Sequence, residues 1–127
     1  MKITSRAEAL SGQQPLSPDH FTGPASSHPL HAAEAAGAVN VSLVRFEPGV
    51  RNHWHSHQGG QLLHVVEGGG WTQSRGAAPR RIGAGDFVSA AAGEVHWHGA
   101  ATGGPMAHVA VSIGGIEWLE ESPAPHE

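Results

Sequence analysis

The segment GVRNHWHSHQGGQLLHVVEG, Gly49 to Gly68, decides the fold, because it places four histidines within twelve residues. His55 and His57 are two residues apart, and on a β-strand this spacing directs both side chains to the same face. Gln61 follows a glycine turn and offers an amide oxygen, and His96 follows another glycine turn further along the chain. Three imidazoles and an amide oxygen on adjacent strands predict a site for one divalent metal ion, with positions left open for water or substrate.

The composition limits the class of protein. The chain has 127 residues, which is enough for one domain with one core. It has no cysteine, which excludes disulfides, thiolate metal ligands and a cysteine nucleophile. The net charge is -4 and the seven Lys and Arg residues form no stripe, which predicts no nucleic-acid partner. The sequence shows no signal peptide and no apolar run near the roughly 20 residues of a membrane span, so we expect a soluble, cytoplasmic protein without a membrane partner.

The order of segments predicts an all-β domain. From residue 41 onwards, seven or eight short β-prone segments alternate with glycine turns, a pattern typical of an antiparallel sandwich or barrel. We expect an N-terminal arm with short strands over residues 1–40, a barrel over 41–119 and a C-terminal tail over 120–127. The segment HPLHAAEAAGA, residues 28–38, predicts a short helix or an irregular loop, and GIEWLEES, residues 115–122, predicts a last strand or a short helix.

The segment MAHVAVSI, residues 106–113, has two different faces. One face is entirely apolar, whereas the other carries His108 and Ser112 and looks into a more polar space. An all-apolar face must be covered by a second sheet or by a partner subunit. This apolar face, together with Leu62 and Val66, predicts a homodimer or a higher homo-oligomer. The apolar face comprises Ala107, Val109, Val111 and Ile113.

The two histidine-rich segments resemble the two motifs of the cupin superfamily. The resemblance covers roughly residues 40 to 115 and implies an all-β fold, a single cupin barrel (double-stranded β-helix or jelly roll) of antiparallel strands. The chain departs from the motifs at Gln61, where glutamate is usual, at Ala91, where proline is usual, and at Ala100, where asparagine is usual. The matching positions are Gly49, His55, His57 and Gly68 in the first motif, and Gly85, Gly93 and His96 in the second.

A narrower resemblance is to the manganese-dependent hydroxynitrile lyases of the cupin fold. It is carried by Gln61, by HWHGA and MAHVA, and by the upstream FTG and HPL. It implies manganese as the cofactor and reversible cleavage of a cyanohydrin such as mandelonitrile to an aldehyde and hydrogen cyanide. It also implies His108 as the catalytic residue near the metal. The implied metal ligands are His55, His57, Gln61 and His96.

The chemistry of these residues is consistent with a lyase. Gln61 is neutral, so an ion with four neutral ligands keeps its full charge and is a strong Lewis acid for a substrate oxygen. The ordinary pKa of histidine, near 6.5, suits His108 as acid or base. The donor set also admits iron, zinc, nickel, cobalt or copper. Two alternatives remain open: an iron-dependent dioxygenase acting on a small aromatic or keto substrate, and a non-catalytic cupin that binds a small ligand.

The remaining polar residues are assigned by position. His98 shares the parity of His96 but is expected to lie outside the ligand set, and His53 is expected at the pocket mouth. His64 has the opposite parity to Gln61 and is expected to point away. The cupin resemblance places one face of the strand NVSLVRF towards a pocket for a small-molecule substrate. The predicted pocket residues are Ser42, Val44, Phe46, Asn52 and Ser112.

Overall fold

The computed structural model describes residues 1–33 and 38–127, and nearly all of its regular structure is β. A short helix α1, Arg6–Ser11, and a 3-10 turn, Pro18–His20, precede the main strands. No helix in the described ranges is long and apolar enough to cross a membrane. The strands are β1 Gln14–Pro15, β2 Ala25–Ala32, β3 Val39–Phe46, β4 His55–His57, β5 Gln61–Glu67, β6 Gly69–Ser74, β7 Arg80–Gly83, β8 Phe87–Ala90, β9 His96–Ala100, β10 Met106–Ile113 and β11 Ile116–Trp118.

The strands form two antiparallel sheets. One has six strands in the order β1-β2-β3-β10-β5-β8, and the other has five in the order β11-β4-β9-β6-β7. Consecutive strands of the chain repeatedly fall in different sheets, as β3 and β4 do. The chain therefore winds between two facing layers, and the predicted all-β, antiparallel architecture is confirmed.

The core lies between the two sheets. Phe46 and Met106 are fully buried there and pack with Val50, Val65 and Ile82. Burying such large apolar side chains is the main source of stability, at about 1.5–3 kcal/mol for each one. A second apolar cluster lies on the outer face of the six-stranded sheet, where Ala9 of α1 covers Leu43 and Ala107. The N-terminal arm thus covers part of the apolar face of β10.

The N-terminal arm contributes a full strand to the larger sheet. β2 is eight residues long and pairs with β3 in an antiparallel register. The helix or loop predicted from residue 28 onwards is wrong for residues 28–32, which belong to β2, and residues 34–37 lie outside the described ranges. The register shifts between Pro29 and His31, as expected where proline cannot donate to the ladder. At the other end, β11 is a strand rather than a helix. The boundaries near residues 40 and 119 stay predictions.

The turn before β5 requires a glycine. Gly60 has a φ of 91°, a left-handed conformation that favours glycine. A Cβ at this position would lie 2.7 Å from the carbonyl oxygen of Ala90. Gly60 therefore lets the chain turn tightly against the end of β8 and begin β5 at Gln61, beside β4.

Candidate metal centre

Three strands bring the predicted ligands together. His55 and His57 lie at the two ends of β4, Gln61 begins β5, and His96 begins β9 directly opposite His55. The ring centres of His55 and His96 are 4.4 Å apart, and His57 lies 5.1 Å from His55 and 5.7 Å from His96. All four side chains are buried. The structure therefore gathers the predicted set in one place between the sheets.

Backbone carbonyls fix the protons of two histidines. Nδ1 of His55 lies 2.8 Å from the carbonyl oxygen of His53, and Nδ1 of His96 lies 2.9 Å from that of Glu94. A carbonyl oxygen only accepts, so each Nδ1 must carry the proton of the neutral ring. Nε2 of both histidines consequently keeps its lone pair, which is the arrangement of histidines that bind metals.

Gln61 faces His96 as a second acceptor. Its Nε2 donates to the hydroxyl of Ser112 at 3.0 Å, and its Oε1 lies 3.0 Å from Nε2 of His96. In this orientation of the Gln61 amide, and with the proton of His96 on Nδ1, neither of the two facing atoms has a hydrogen to share. Two lone pairs that face each other repel, and a shared cation converts this repulsion into attraction. The pair therefore fits a metal ion.

The ring of His57 lacks a hydrogen-bond partner in the part of the chain that the structure describes. The side chain is 4% exposed, and neither Nδ1 nor Nε2 has a hydrogen-bond partner among the described residues. Leaving a buried polar group unsatisfied costs about 1–3 kcal/mol, so such a group needs a reason to persist. A metal ion bound by one of these nitrogens supplies one.

Burial keeps these histidines neutral. It lowers the pKa of His55 to about 3 and that of His57 to about 4, and a nearby charge on His96 lowers both further. Burial also lowers the pKa of His96. Metal ions bind the neutral imidazole, so the ligands are in the required form near neutral pH.

His98 is the competing ligand. Nitrogen atoms of His55, His96 and His98 lie within 4.8 Å of one another, so proximity alone selects a different trio. However, Nε2 of His98 is 3.2 Å from Nδ2 of Asn52, and its Nδ1 is 3.2 Å from Nε2 of His108. His98 thus has side-chain contacts with Asn52 and His108, whereas the ring of His57 has no hydrogen-bond partner among the described residues, which favours the set with His57 and Gln61.

His108 lies beside His98, beyond the ligand cluster. Its ring is fully buried, and burial lowers its pKa to about 4. Nδ1 has no hydrogen-bond partner in the described part of the chain. His108 is therefore a neutral imidazole with one buried nitrogen that has no partner among the described residues.

A cavity of about 350 Å³ is lined by three of the four predicted ligands, His55, His57 and Gln61, and by His98 and His108. Four of the five predicted pocket residues line it, namely Ser42, Val44, Asn52 and Ser112. Phe46 does not: it is fully buried in the core, where its ring packs 5.5 Å from that of His108 and 5.7 Å from that of His98. The alternation of β3 directs Phe46 towards the interior. Phe46 is the last residue of that strand, however, and it packs in the core instead of lining the cavity.

Sequence reasoning missed the aromatic wall of this cavity. His20 and Trp118 stack in parallel with ring centres 4.3 Å apart, and Trp118 lies 4.9 Å from His55. Phe21 adjoins Trp118 at 6.0 Å. These residues come from the two ends of the chain, and no motif joins them. His53 and His64 lie outside the cavity: the amide of His53 bonds the carbonyl of His20, and His64 stacks on Phe87.

A larger cavity, of about 560 Å³, lies on the other side of His96. It is bordered by β7, β8 and the exposed side chain of Arg80, and His96 is the one predicted ligand that it reaches. The smaller cavity contacts His55, His57, Gln61 and His108 together, so the chemistry belongs there.

With this geometry in view, comparison with known proteins defines the family. A model of the cupin domain matches residues 42–112. The chain belongs to the cupin family. This cupin is 40% identical over 124 residues to the (R)-mandelonitrile lyase of Granulicella tundricola, an alignment that covers 94% of this chain and 93% of that protein. The cupin resemblance found in the sequence is thereby confirmed.

Solved structures place the cupin fold in a wider group. A cupin-like protein from Thermotoga maritima is 41% identical and superposes with a TM-score of 0.80 over 84% of each chain. An acetylacetone dioxygenase from Acinetobacter johnsonii has a TM-score of 0.74 over 94% of this chain and 76% of its own. At 14% identity, the dioxygenase shares the fold alone. The mandelonitrile lyase relative supports a cupin enzyme, and the cluster of three histidines in a cupin supports a metal site.

Proposed function

We propose that this cupin is a metal-dependent lyase that reversibly cleaves a cyanohydrin of the mandelonitrile type to an aldehyde and hydrogen cyanide. The observation that carries the proposal is the single cavity that His55, His57, Gln61 and His108 line together. The 40% identity to a mandelonitrile lyase over nearly the whole chain supports the substrate class.

The residues fit a divalent ion. His55, His57 and His96 would bind it through imidazole nitrogens, and Gln61 through its amide oxygen; the facing acceptors and the unpartnered ring of His57 support this set. When bound, the ion supplies Lewis acidity towards a substrate oxygen, undiminished by any anionic ligand. We propose manganese on the basis of the family resemblance. Elemental analysis of protein isolated from its native host tests the metal, and stoichiometric zinc or iron without manganese would contradict this choice.

The cavity provides the other requirements of the reaction. Its volume of about 350 Å³ suits a small aromatic substrate. Phe21, Val44 and Trp118 offer apolar surface for a ring, whereas the hydroxyls of Ser42 and Ser112 offer hydrogen bonds. Burial excludes water from the His108 nitrogen, which strengthens its interaction with a substrate proton. We assign His108 the role of moving that proton.

The assay is release of cyanide from mandelonitrile by the metal-loaded protein. We expect His108→Ala to lower kcat by about 10²–10⁴-fold, the usual contribution of a positioned acid or base. The matched control is His64→Ala, because His64 lies outside the cavity and stacks on Phe87. Equal activity of the two variants would remove His108 from the mechanism.

The same preparation separates the alternatives. Oxygen uptake by the iron-loaded protein without cyanide release would identify a dioxygenase. Saturable binding of benzaldehyde or mandelonitrile without turnover under any metal would identify a ligand-binding cupin.

We also propose that the outer face of the six-stranded sheet joins two copies of the chain. Leu62, Val66 and Ile113 are each about two-fifths exposed, and Phe87 is 68% exposed. Apolar side chains grouped on one face favour association. Light scattering at micromolar concentration tests this, with Phe87→Ser expected to weaken the dimer; a wild-type monomer would contradict it.

A further inference from the structure

The edge strand β11 places two apolar side chains beside the proposed metal ligands. It pairs antiparallel with β4, so that Trp118 lies opposite His55 and Ile116 lies opposite His57. Residues directly opposite each other in an antiparallel pair project from the same face of the sheet. Trp118 therefore shares the face of His55, with ring centres 4.9 Å apart, and both side chains line the smaller cavity.

A second aromatic ring comes from the other end of the chain. His20 stacks on Trp118 with ring centres 4.3 Å apart and ring planes 2° from parallel, and it lines the same cavity. Phe21, the next residue, also lines the cavity and lies 6.0 Å from Trp118. The two stacked rings, the His20–Trp118 pair, thus form an aromatic wall on the side of the cavity next to His55.

The backbone fixes this pair relative to the ligand strand. The carbonyl of His20 accepts from the amide of His53 at 2.9 Å. Leu119, the residue after the stacked tryptophan, donates its amide to the carbonyl of Trp54 at 2.8 Å. Because His53 and Trp54 directly precede β4, both partners of the stack are anchored to the residues that lead into His55. The wall is therefore positioned against the ligands before any substrate binds, which lowers the cost of ordering the site.

The sheet that faces β4 and β11 lines the cavity with a different chemistry. Ser42 of β3, together with Ala110 and Ser112 of β10, contributes small side chains and two hydroxyl groups. A molecule with a planar apolar end and a polar end is therefore held in one orientation. Its planar end lies against the His20–Trp118 pair, and its polar end lies towards the ligands and the hydroxyls.

We propose that the His20–Trp118 pair is the specificity determinant of this cavity and selects molecules that carry a planar aromatic ring. Aromatic rings attract one another by offset stacking or edge-to-face contact, beyond what burial of apolar area provides. A saturated ring of the same size gains the burial without this attraction. Under the proposed function, on which this last step rests, the pair selects aromatic over aliphatic cyanohydrins.

Two probes of nearly equal size separate ring planarity from hydrophobicity. Benzyl alcohol carries a planar ring, and cyclohexylmethanol carries a saturated ring on the same carbon skeleton. The saturated ring buries more apolar surface, so hydrophobic burial alone would favour cyclohexylmethanol. We expect the wild type instead to bind benzyl alcohol about three- to tenfold more tightly, and Trp118→Ala to lose this preference.

The readout is the dissociation constant of each probe, from NMR titration of the full chain. The protein is loaded with zinc, which is diamagnetic, and the titration is repeated on the metal-stripped protein. Trp71→Ala is the matched control, because Trp71 lies outside this cavity, where the guanidinium of Arg81 lies 5.4 Å from its ring centre. This variant should keep the preference of the wild type.

Variants of His20 test the same wall if Trp118→Ala does not fold. His20→Phe keeps a ring for stacking and should retain the preference, whereas His20→Ala should lower it by about twofold or more. A wild type that binds neither probe, or that binds cyclohexylmethanol at least as tightly, would overturn the proposal. An unchanged preference in folded Trp118→Ala or His20→Ala would overturn it as well. Cyanide release is a separate assay, so a ring preference without cyanide release would remove the lyase and keep this inference.

Discussion

Two histidine clusters lie side by side in this cupin and use their nitrogens differently. In the metal centre, His55 and His96 each give Nδ1–H to the backbone carbonyl two residues earlier, which leaves Nε2 free. In the neighbouring group of Asn52, His98 and His108, the contacts are between side chains: Nδ1 of His98 lies 3.2 Å from Nε2 of His108, and Nδ2 of Asn52 lies 3.2–3.4 Å from both ring nitrogens of His98. Proximity does not separate the two clusters, since His98 is close to His55 and His96. What separates them is the kind of group that their ring nitrogens contact: backbone carbonyls for His55 and His96, side chains for His98.

The largest effect that we expect from this difference between the clusters is on metal affinity. We expect His96→Ala to lose more than about 100-fold in affinity, because it removes a donor atom outright, while loss of a residue that only supports the ligands costs less. We expect His98→Ala to lose less than about tenfold, because His98 bonds no proposed ligand. Titration of each metal-stripped variant with manganese measures both. Similar losses in the two variants would move His98 into the ligand set.

The second test is stability without metal. His57→Leu removes two unsatisfied nitrogens, so we expect the free energy of unfolding to stay level or rise by about 1 kcal/mol, although metal binding falls. His98→Leu leaves Nδ2 of Asn52 and Nε2 of His108 unpaired, and should lower the free energy of unfolding by about 2–4 kcal/mol. Urea unfolding of the metal-stripped variants compares the two. A destabilised His57→Leu would show that His57 is held by packing rather than kept for a ligand.

The third test is the acid sensitivity of the metal-stripped protein. Burial holds the pKa of His57 at about 4 and that of His55 at about 3, whereas the unfolded chain titrates near the ordinary value of about 6.5. The unfolded state therefore binds more protons below this pH. The stabilisation is fully present above about pH 6.5 and is lost as the pH falls towards the folded-state values, at about 1.4 kcal/mol per pH unit for each such histidine.

Urea unfolding over a pH series measures this slope. In His57→Leu the free energy of unfolding should change with pH by about 1.4 kcal/mol per unit less than in the wild type, between roughly pH 6 and 4.5. The reason is that one histidine fewer takes up a proton on unfolding. A slope identical to that of the wild type would mean that His57 does not change its pKa on folding.

The smallest effect concerns the support of Gln61. Ser112→Ala removes the acceptor for Nε2 of Gln61, a bond of 3.0 Å. We expect manganese affinity to fall by about tenfold, the lower end of the range for a group that orients a ligand, with a loss of about 0.5–1.5 kcal/mol in stability. Ser89→Ala is the control, because Ser89 lies on the neighbouring strand β8 and lines the other cavity. An unchanged affinity would mean that Gln61 is oriented by other contacts or does not bind the metal.

Much of the site was predictable because its signals are local. The two-residue spacing of His55 and His57 fixes a shared strand face wherever the strand lies, and the glycine turns before Gln61 and His96 fix where the next strands begin. Phe46 was assigned to the pocket from the same alternation and lies instead in the core. Alternation predicts which face of the sheet a side chain lies on. It does not predict whether an inward-facing side chain lines the cavity or packs in the core.

The sequence by itself determined the all-β class, the cupin motifs and the grouping of the four proposed ligands, because strand periodicity and turn chemistry act over a few residues. The tertiary structure alone decided how His98 differs from its neighbours, where Asn52 points and which aromatic side chains wall the cavity. Those outcomes depend on contacts between residues far apart in the chain, such as Asn52 with His98 and His20 with Trp118. Hydrogen-bond direction is a property of the assembled pair, so no single segment encodes it.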